Sequence, residues 1–278
     1  MSEFPVATAS HGGVDRPSPP PLRSPFPPWR TWEALLVVGL FSASQPLASL
    51  AASAALGAGL PPGLTQEEAE GELLKYVLPL VILVSHGVGW SALYYLIGHR
   101  HHLPLGDGLT LHGLRRLRVV RIFGAGMALQ VLGVMAALLV PPPEDFDNPV
   151  LRFIAYGGWA VALLFLMAVI MAPLLEEALF RGVLLPALRR RLRFVPAALL
   201  VTVLFTALHA VQTSGYWPPL LVIALVGYLL AYLREASGSL WPPILFHMGF
   251  NFTALLPVLL LGDELPLAVL TWLQASQA

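Results

Sequence analysis

The chain has 278 residues, of which 56% are apolar and 12% are charged, and its mean hydropathy is +0.72. Soluble domains carry about 25% charged residues, so much of this surface must face lipid rather than water. The formal net charge is zero, which argues against nucleic acid as a partner. The lack of cysteine excludes disulfides, thiolate metal sites and cysteine nucleophiles.

The N-terminal residues 1–30 differ from the rest of the chain. They are polar and rich in proline, with no apolar run and no small-residue cleavage site, so they do not resemble a secretory signal peptide. This composition predicts a disordered tail with a preference for the polyproline II conformation.

Seven apolar stretches follow that approach the length of about 20 residues needed for a membrane-spanning helix. They are residues 32–58, 74–97, 121–140, 150–173, 194–211, 218–233 and 240–261. A last apolar stretch, 265–273, is too short to count as a full span and could instead lie at the interface. The sequence therefore predicts an all-α, polytopic transmembrane helix bundle with about seven or eight membrane-spanning helices.

Charged residues in the loops predict the orientation of these helices. Arginine is concentrated before the first span, between the second and third, and before the fifth, whereas the loops at 65–72, 141–149 and 262–266 are acidic. Loops rich in arginine stay on the cytoplasmic side, so we expect the N-terminus to be cytoplasmic.

One segment is too long for a simple pass through the membrane. The chain is helix-like from Val150 to Arg190, about 60 Å at the usual rise against about 30 Å of hydrocarbon. Pro173 lies near its middle, so we expect a kink there, with the second half tilted or lying along the cytoplasmic boundary.

These features divide the chain into four parts. We expect a cytoplasmic tail at 1–30, N-terminal transmembrane helices at 31–149, a membrane core at 150–261 and a short C-terminal apolar segment at 262–278.

Three ionisable residues lie inside the apolar segment that follows Ala172. A charged side chain at the bilayer centre costs about 2.5–3.5 kcal/mol, so each needs a reason to be there. Glu177 and Arg181 are four residues apart with the acid first, the favourable order for a helical ion pair. Glu176 points about 100° away from Glu177 on the helix and has no such partner, which leaves its carboxylate free for chemistry.

The next spans carry further polar side chains. His209 is the ionisable residue of its span, and His247 and Asn251 are four residues apart on one helix face. A single intramembrane histidine or asparagine is often only an interhelical hydrogen-bonding residue. Their occurrence together with an unpaired glutamate on successive helices favours a functional site.

Histidines elsewhere are less informative. His86 stands alone in the second span and is interpreted as a packing residue. His99, His101, His102 and His112 lie in the arginine-rich loop, where we expect solvated interface residues, with metal binding as the lesser alternative.

Three sequence motifs resemble those of a known family. EEALFR at 176–181, FTALH at 205–209 and HMGFN at 247–251 are similar to the ordered EExxxR, FxxxH and HxxxN motifs of the CAAX protease and bacteriocin-processing family of intramembrane proteases. The resemblance covers about residues 150–255, which makes 150–261 the expected catalytic core.

The resemblance implies catalytic roles for four residues. Glu176 would be the general base and would activate a water molecule together with His209. His247 and Asn251 would stabilise the oxyanion of the tetrahedral intermediate.

Three further residues would support the site. By the same resemblance, Glu177 and Arg181 would maintain its geometry, and Phe205 would be a packing residue of the second motif.

A zinc mechanism competes for the same residues. Glu176, His209 and His247 could form a catalytic ligand set that leaves a fourth position for water. We favour the glutamate mechanism without a metal cofactor, because the sequence has no HExxH helix and Asn251 suits an oxyanion donor better than a metal ligand.

Two alternatives outside proteolysis remain at this point. Intramembrane glutamate and histidine also mark ion pathways, so a transporter is one. A non-enzymatic membrane scaffold that retains the motifs is the other.

The expected partners are the lipid bilayer and a membrane-anchored protein or peptide substrate. Short loops and a high content of Ala, Leu, Pro and Arg favour a bacterial protein of the inner (cytoplasmic) membrane.

Overall fold

A computed structural model of the chain describes residues 27–113, 116–137, 139–140, 149–154, 156–210 and 216–261. Helices and no strands occur in these residues. The α-helices are α1 Thr31–Gly57, α2 Gln66–Tyr94, α3 Leu105–Gly108, α4 Arg116–Ala137, α5 Pro149–Ile154, α6 Gly158–Phe165, α7 Ala172–Glu177, α8 Leu185–Arg189, α9 Phe194–His209, α10 Trp217–Ser237 and α11 Trp241–Leu261. Segments of π-helix occupy Tyr95–Arg100, Leu166–Met171 and Ala178–Leu184. The C-terminal segment 262–278 and residues 1–26 of the predicted tail lie outside the described residues.

Six helical stretches are long and apolar enough to cross a membrane. They are Thr31–Gly57, Glu68–Arg100, Arg118–Met135, Gly158–Arg189, Trp217–Ser237 and Trp241–Leu260. The apolar helix Phe194–His209 is a shorter seventh, with 16 residues. The chain is therefore an integral, multi-pass membrane protein with an all-α bundle, as the sequence predicts. Its expected orientation stays a prediction.

The second helix begins earlier than hydropathy predicts. Its first residue is Gln66 rather than residue 74, because Thr65 caps it: the Thr65 hydroxyl accepts from the Glu68 N–H at 3.3 Å, and the Glu68 carboxylate accepts from the Thr65 N–H at 2.8 Å. Such a reciprocal capping box stabilises a helix start in polar sequence. The acidic stretch at 65–72, expected as a loop, therefore forms the first turns of α2.

The long segment after residue 149 also differs from its prediction. A continuous helix from Val150 is wrong, because α5 ends at Ile154 and Gly157 adopts a φ of +91° before α6 begins. Glycine takes this conformation without the steric cost that other residues meet. From Gly158 the chain stays helical to Arg189, through 32 residues.

This long helix changes its winding on both sides of Pro173. The π-helical turns Leu166–Met171 and Ala178–Leu184 flank α7, and the Ala172 N–H bonds to the Met167 carbonyl, five residues back. Such π-turns are frequent at functional sites because they shift which side chains share a helix face. The winding of the helix is therefore irregular on both sides of Pro173. The kink expected at Pro173 and the expected tilt of the second half stay predictions.

The helices pack in pairs against the long helix Gly158–Arg189 and against α11. Helix α1 packs on α2, α9 on α10, and α11 on both α4 and α10. The long helix also contacts α11, through Leu166–Met171 and α7. At the start of α1, the Trp29 indole N–H donates to the Val183 carbonyl at 3.1 Å, which ties this end of the bundle to the long helix.

Helices α4 and α11 approach each other closely at two glycines. A Cβ on Gly126 would collide with the backbone of Phe246, and a Cβ on Gly249 would collide with the backbone of Phe123. Small residues allow such close helix contacts in membranes, where van der Waals packing drives association. This contact fixes the helix that carries His247 and Asn251.

We expect Gly126→Ala to lower the thermal unfolding midpoint of the detergent-purified protein. The added methyl group has no room, and overpacking costs about 1–3 kcal/mol. The matched control is Gly124→Ala on the same helix, where no heavy atom lies within 4 Å of the new Cβ. Equal midpoints for the two variants would contradict the close contact.

Candidate active site

A buried ion pair lies at the centre of the bundle. Arg181 Nη1 donates to Glu177 Oε1 at 3.0 Å, and both side chains are 0% exposed. The sequence prediction of this pair is confirmed. Arg181 Nη2 also donates to the Gly227 carbonyl at 2.8 Å, and the guanidinium carbon lies 4.5 Å from the centre of the Phe205 ring. Salt bridge, hydrogen bond and cation–π contact together compensate the buried arginine.

The same glutamate contacts His247 on another helix. His247 Nδ1 lies 3.1 Å from Glu177 Oε1, so one carboxylate oxygen is shared between Arg181 and His247. A carboxylate on one imidazole nitrogen fixes the orientation of the ring. Sequence reasoning missed this contact, because it joins residues 70 positions apart and no local spacing signals it.

Glu176 is the more accessible of the two adjacent glutamates. Its side chain is 17% exposed, and its Oε2 lies 3.9 Å from His247 Nε2. The two ring nitrogens of His247 therefore face two different carboxylates, a buried one on Nδ1 and an accessible one on Nε2. The sequence-based distinction between a paired Glu177 and a separately directed Glu176 agrees with this geometry.

His209 reaches the same region from α9. Its Nδ1 lies 2.7 Å from the Phe205 carbonyl one turn earlier, and the ring is buried. The Phe205 ring lies 4.5 Å from the His209 ring and 6.0 Å from the His247 ring, measured between centroids. Phe205 thus packs between the two histidines, consistent with its predicted packing role.

Asn251 bonds to the long helix rather than to the histidines. Its Nδ2 donates to the Ala168 carbonyl at 2.7 Å, within the π-helical turn Leu166–Met171. The amide has a second N–H, which this bond leaves for other acceptors. The sequence placed Asn251 on the His247 face but could not reveal this anchor, because it depends on the irregular winding of another helix.

The described residues do not provide a clustered metal-ligand set. No group of three or more His, Asp or Glu side chains lies close enough together to hold an ion in the part of the chain that the structure describes. Glu176, His209 and His247, which the alternative zinc mechanism would use, are not such a group in this arrangement.

The histidines outside the site differ in exposure and in their contacts. His86 Nδ1 lies 2.9 Å from the Ile82 carbonyl one turn back, as suits a packing residue. His99, His102 and His112 are exposed as expected, although His99 lies in the π-helical segment Tyr95–Arg100 rather than in a loop. For His101 the expectation of a solvated residue is wrong, because it is half-buried with its Nε2 3.4 Å from Glu33.

A known family and two known proteins resemble the chain. Residues 158–253 match the family described as type II CAAX prenyl endopeptidase Rce1-like. An Escherichia coli protein called "Uncharacterized 24.3 kDa protein" is 35% identical over 184 residues, which are 63% of this chain and 80% of that protein. "Putative membrane peptidase YdiL" of Bacillus subtilis (strain 168) is 32% identical over 92 residues, 33% of this chain and 36% of that protein. No solved structure matches the chain significantly.

The fold and the buried polar cluster define a polytopic membrane protein with a glutamate–histidine site inside its bundle. With the similarities above, the chain belongs to the CAAX protease and bacteriocin-processing family of membrane peptidases. All seven candidate residues lie within the matched range 158–253.

We expect Arg181→Met to destabilise the protein strongly. It leaves the fully buried Glu177 carboxylate without its cation, which typically costs about 3–5 kcal/mol. Adding Glu177→Gln should recover most of the loss, because the amide removes the charge but keeps an acceptor for His247 Nδ1. Thermal unfolding in detergent measures both variants, and a double variant as unstable as the single one would count against this ion pair.

Proposed function

We propose that this chain is an intramembrane endopeptidase that cleaves a membrane-anchored protein or peptide, with Glu176 as the general base. The observation that carries the proposal is the arrangement around His247. One ring nitrogen contacts the buried Glu177, and the other faces the more accessible Glu176 at 3.9 Å. An accessible carboxylate beside an oriented imidazole inside a membrane bundle suits water activation.

In the proposed reaction, Glu176 takes a proton from a water molecule whose oxygen attacks the carbonyl carbon of the scissile peptide bond. The resulting tetrahedral intermediate collapses, and the carbon–nitrogen bond breaks. The proton held by Glu176 passes to the leaving amine, which regenerates the carboxylate.

His209 is proposed to share the activation of this water. Its Nδ1 is committed to the Phe205 carbonyl at 2.7 Å. When this nitrogen carries the proton, the neutral ring keeps Nε2 as an acceptor. An acceptor on a buried, hydrogen-bonded ring can orient the water that Glu176 deprotonates.

His247 and Asn251 are proposed to stabilise the oxyanion. Protonated His247 can donate from Nε2 while Glu177 compensates the charge of the ring through Nδ1, as a carboxylate does for a catalytic imidazole. Asn251 would donate its second amide N–H, with the first held by the Ala168 carbonyl. Removing one such donor typically costs about 2.7–4 kcal/mol of transition-state stabilisation.

Glu177, Arg181 and Phe205 are proposed as positioning residues. Glu177 holds His247, Arg181 holds Glu177, and Phe205 packs on both histidines. Preorganised groups of this kind supply orientation without reorganisation during the reaction.

We further propose a glutamate mechanism with no resident metal. The support for it is that Asn251 keeps an amide N–H that can donate to the oxyanion, since its bond to the Ala168 carbonyl uses only one of the two. We also propose a bacterial inner membrane as the location, following the loop lengths and composition.

We expect Glu176→Gln to abolish cleavage while the protein stays folded. Comparative membrane proteomics of cells carrying the wild type or the variant should reveal precursors that keep their uncut form only in the variant. The matched control is Glu72→Gln, which changes an exposed carboxylate near the start of α2. No precursor change with Glu176→Gln would contradict protease function.

The same variant separates the proposal from the two alternatives. A proteoliposome flux that depends on Glu176 without peptide cleavage would favour a transporter. Full biological function in the Glu176→Gln strain would favour a non-enzymatic scaffold.

We expect a strong chelator to leave the purified enzyme fully active. The glutamate mechanism has no step that needs a metal, so cleavage of a precursor found by proteomics should proceed at an unchanged rate. Loss of activity with the chelator, restored by Zn²⁺, would instead establish the zinc mechanism.

A further inference from the structure

A cavity rich in arginine lies away from the proposed active site, at the start of α1. It has a volume of about 720 Å³ and is lined by Arg30, Thr31, Trp32, Leu35, Arg190 and Arg191. The arginines come from two distant parts of the sequence, the residues around the N-terminus of α1 and the end of the long helix. Three cations around one concave space are complementary to an anion.

Arg189, next to the cavity in sequence, has an acidic partner that Arg190 and Arg191 lack among the described residues. Arg189 forms an ion pair with Glu235 at 2.6 Å and is thereby neutralised. Arg190 contacts only neutral groups among the described residues, the carbonyls of Pro27, Pro28 and Trp29, through its Nη1. The described residues give Arg191 no acidic partner within salt-bridge distance. Among the described residues, no acid therefore compensates the positive charge of Arg190 and Arg191.

The N-terminus of α1 adds to this charge. The 27-residue helix begins at Thr31, in the wall of the cavity, and the positive end of its dipole points outward there. Glu33 is the nearby acid, but its carboxylate is already engaged by the Arg30 N–H at 2.7 Å, by Arg100 at 3.6 Å and by His101 at 3.4 Å.

An apolar groove adjoins the cavity and shares Trp32 with it. This groove has a volume of about 770 Å³ and runs between α1 and α2. Its walls include Leu36, Leu40, Val84 and Val88. Both volumes fall in the range of about 300–1,000 Å³ that ligand pockets occupy. Trp32 is 57% exposed, as suits an aromatic side chain at the membrane interface.

We propose that the arginine cavity binds the phosphate headgroup of an anionic phospholipid whose acyl chain lies in the groove between α1 and α2. The arginine cavity matches the charge of the headgroup and the apolar groove matches the acyl chain, and the two spaces share Trp32. Basic pockets between transmembrane helices on the cytoplasmic side are the kind of site that holds anionic headgroups. The bound lipid would join α1 to the end of the long helix, where the Thr31 hydroxyl already donates to the Ala187 carbonyl at 3.3 Å.

The test is thermal unfolding of the full chain in an uncharged detergent, with phosphatidylglycerol or phosphatidylcholine added. A lipid that binds the folded state raises the midpoint by mass action. We expect phosphatidylglycerol to raise the wild-type midpoint by about 3 °C or more, and phosphatidylcholine to leave it nearly unchanged.

Variants of two neighbouring arginines test whether phosphatidylglycerol raises the unfolding midpoint by binding in the cavity. Arg191→Gln should lose most of the shift, whereas Arg193→Gln should keep it, because Arg193 is exposed nearby and is not among the described residues that line the cavity. Arg30→Gln should also lose the shift and replaces Arg191→Gln if that variant does not purify. Equal losses in the Arg191 and Arg193 variants would overturn the proposal in favour of diffuse surface charge.

Two further measurements test the lipid identity. Inorganic phosphate should not reproduce the shift, and an equal shift with phosphate would overturn the lipid in favour of a free anion. Gly87→Leu should reduce the shift by filling the groove, since no heavy atom lies within 4 Å of a Cβ at Gly87. A full shift in Gly87→Leu would overturn the placement of the acyl chain.

Discussion

The Glu177 carboxylate is the interaction on which the rest of the site depends. It lies fully buried in a membrane bundle, where an uncompensated charge would be costly. One of its oxygens accepts from Arg181 on the same helix and contacts His247 on α11. Arg181 in turn bonds to Gly227 on α10 and covers the face of Phe205 on α9. A single carboxylate thus connects four segments, and the position of His247 relative to Glu176 follows from it.

Glycine positions the helix that carries His247. Gly126 and Gly249 bring the backbones of α4 and α11 together, because a Cβ at either position would collide with the backbone of the other helix. Gly227 is less restricted, since a Cβ there would make only ordinary contacts, at 3.4 Å from Phe205 and 3.5 Å from the guanidinium of Arg181. The polar groups are therefore positioned by backbone proximity as much as by their own hydrogen bonds.

Sequence reasoning succeeded where the signal is local. The Glu177–Arg181 pair follows from helical spacing, and the all-α multi-pass bundle follows from hydropathy, because lipid requires long apolar helices. It failed where structure depends on contacts distant in sequence. The Glu177–His247 contact and the Asn251–Ala168 bond have no local signature. The early start of α2 was missed because a capping box extends a helix into polar sequence that hydropathy assigns to a loop.

The shortness of α9 has a consequence for the surrounding lipid. Its 16 residues extend over about 24 Å, whereas the hydrocarbon layer is about 30 Å thick. A bilayer can respond to a helix shorter than its hydrocarbon layer by thinning, at a modest cost for each ångström of mismatch. Thinning of this kind beside α9 would shorten the apolar distance between the membrane surface and His209.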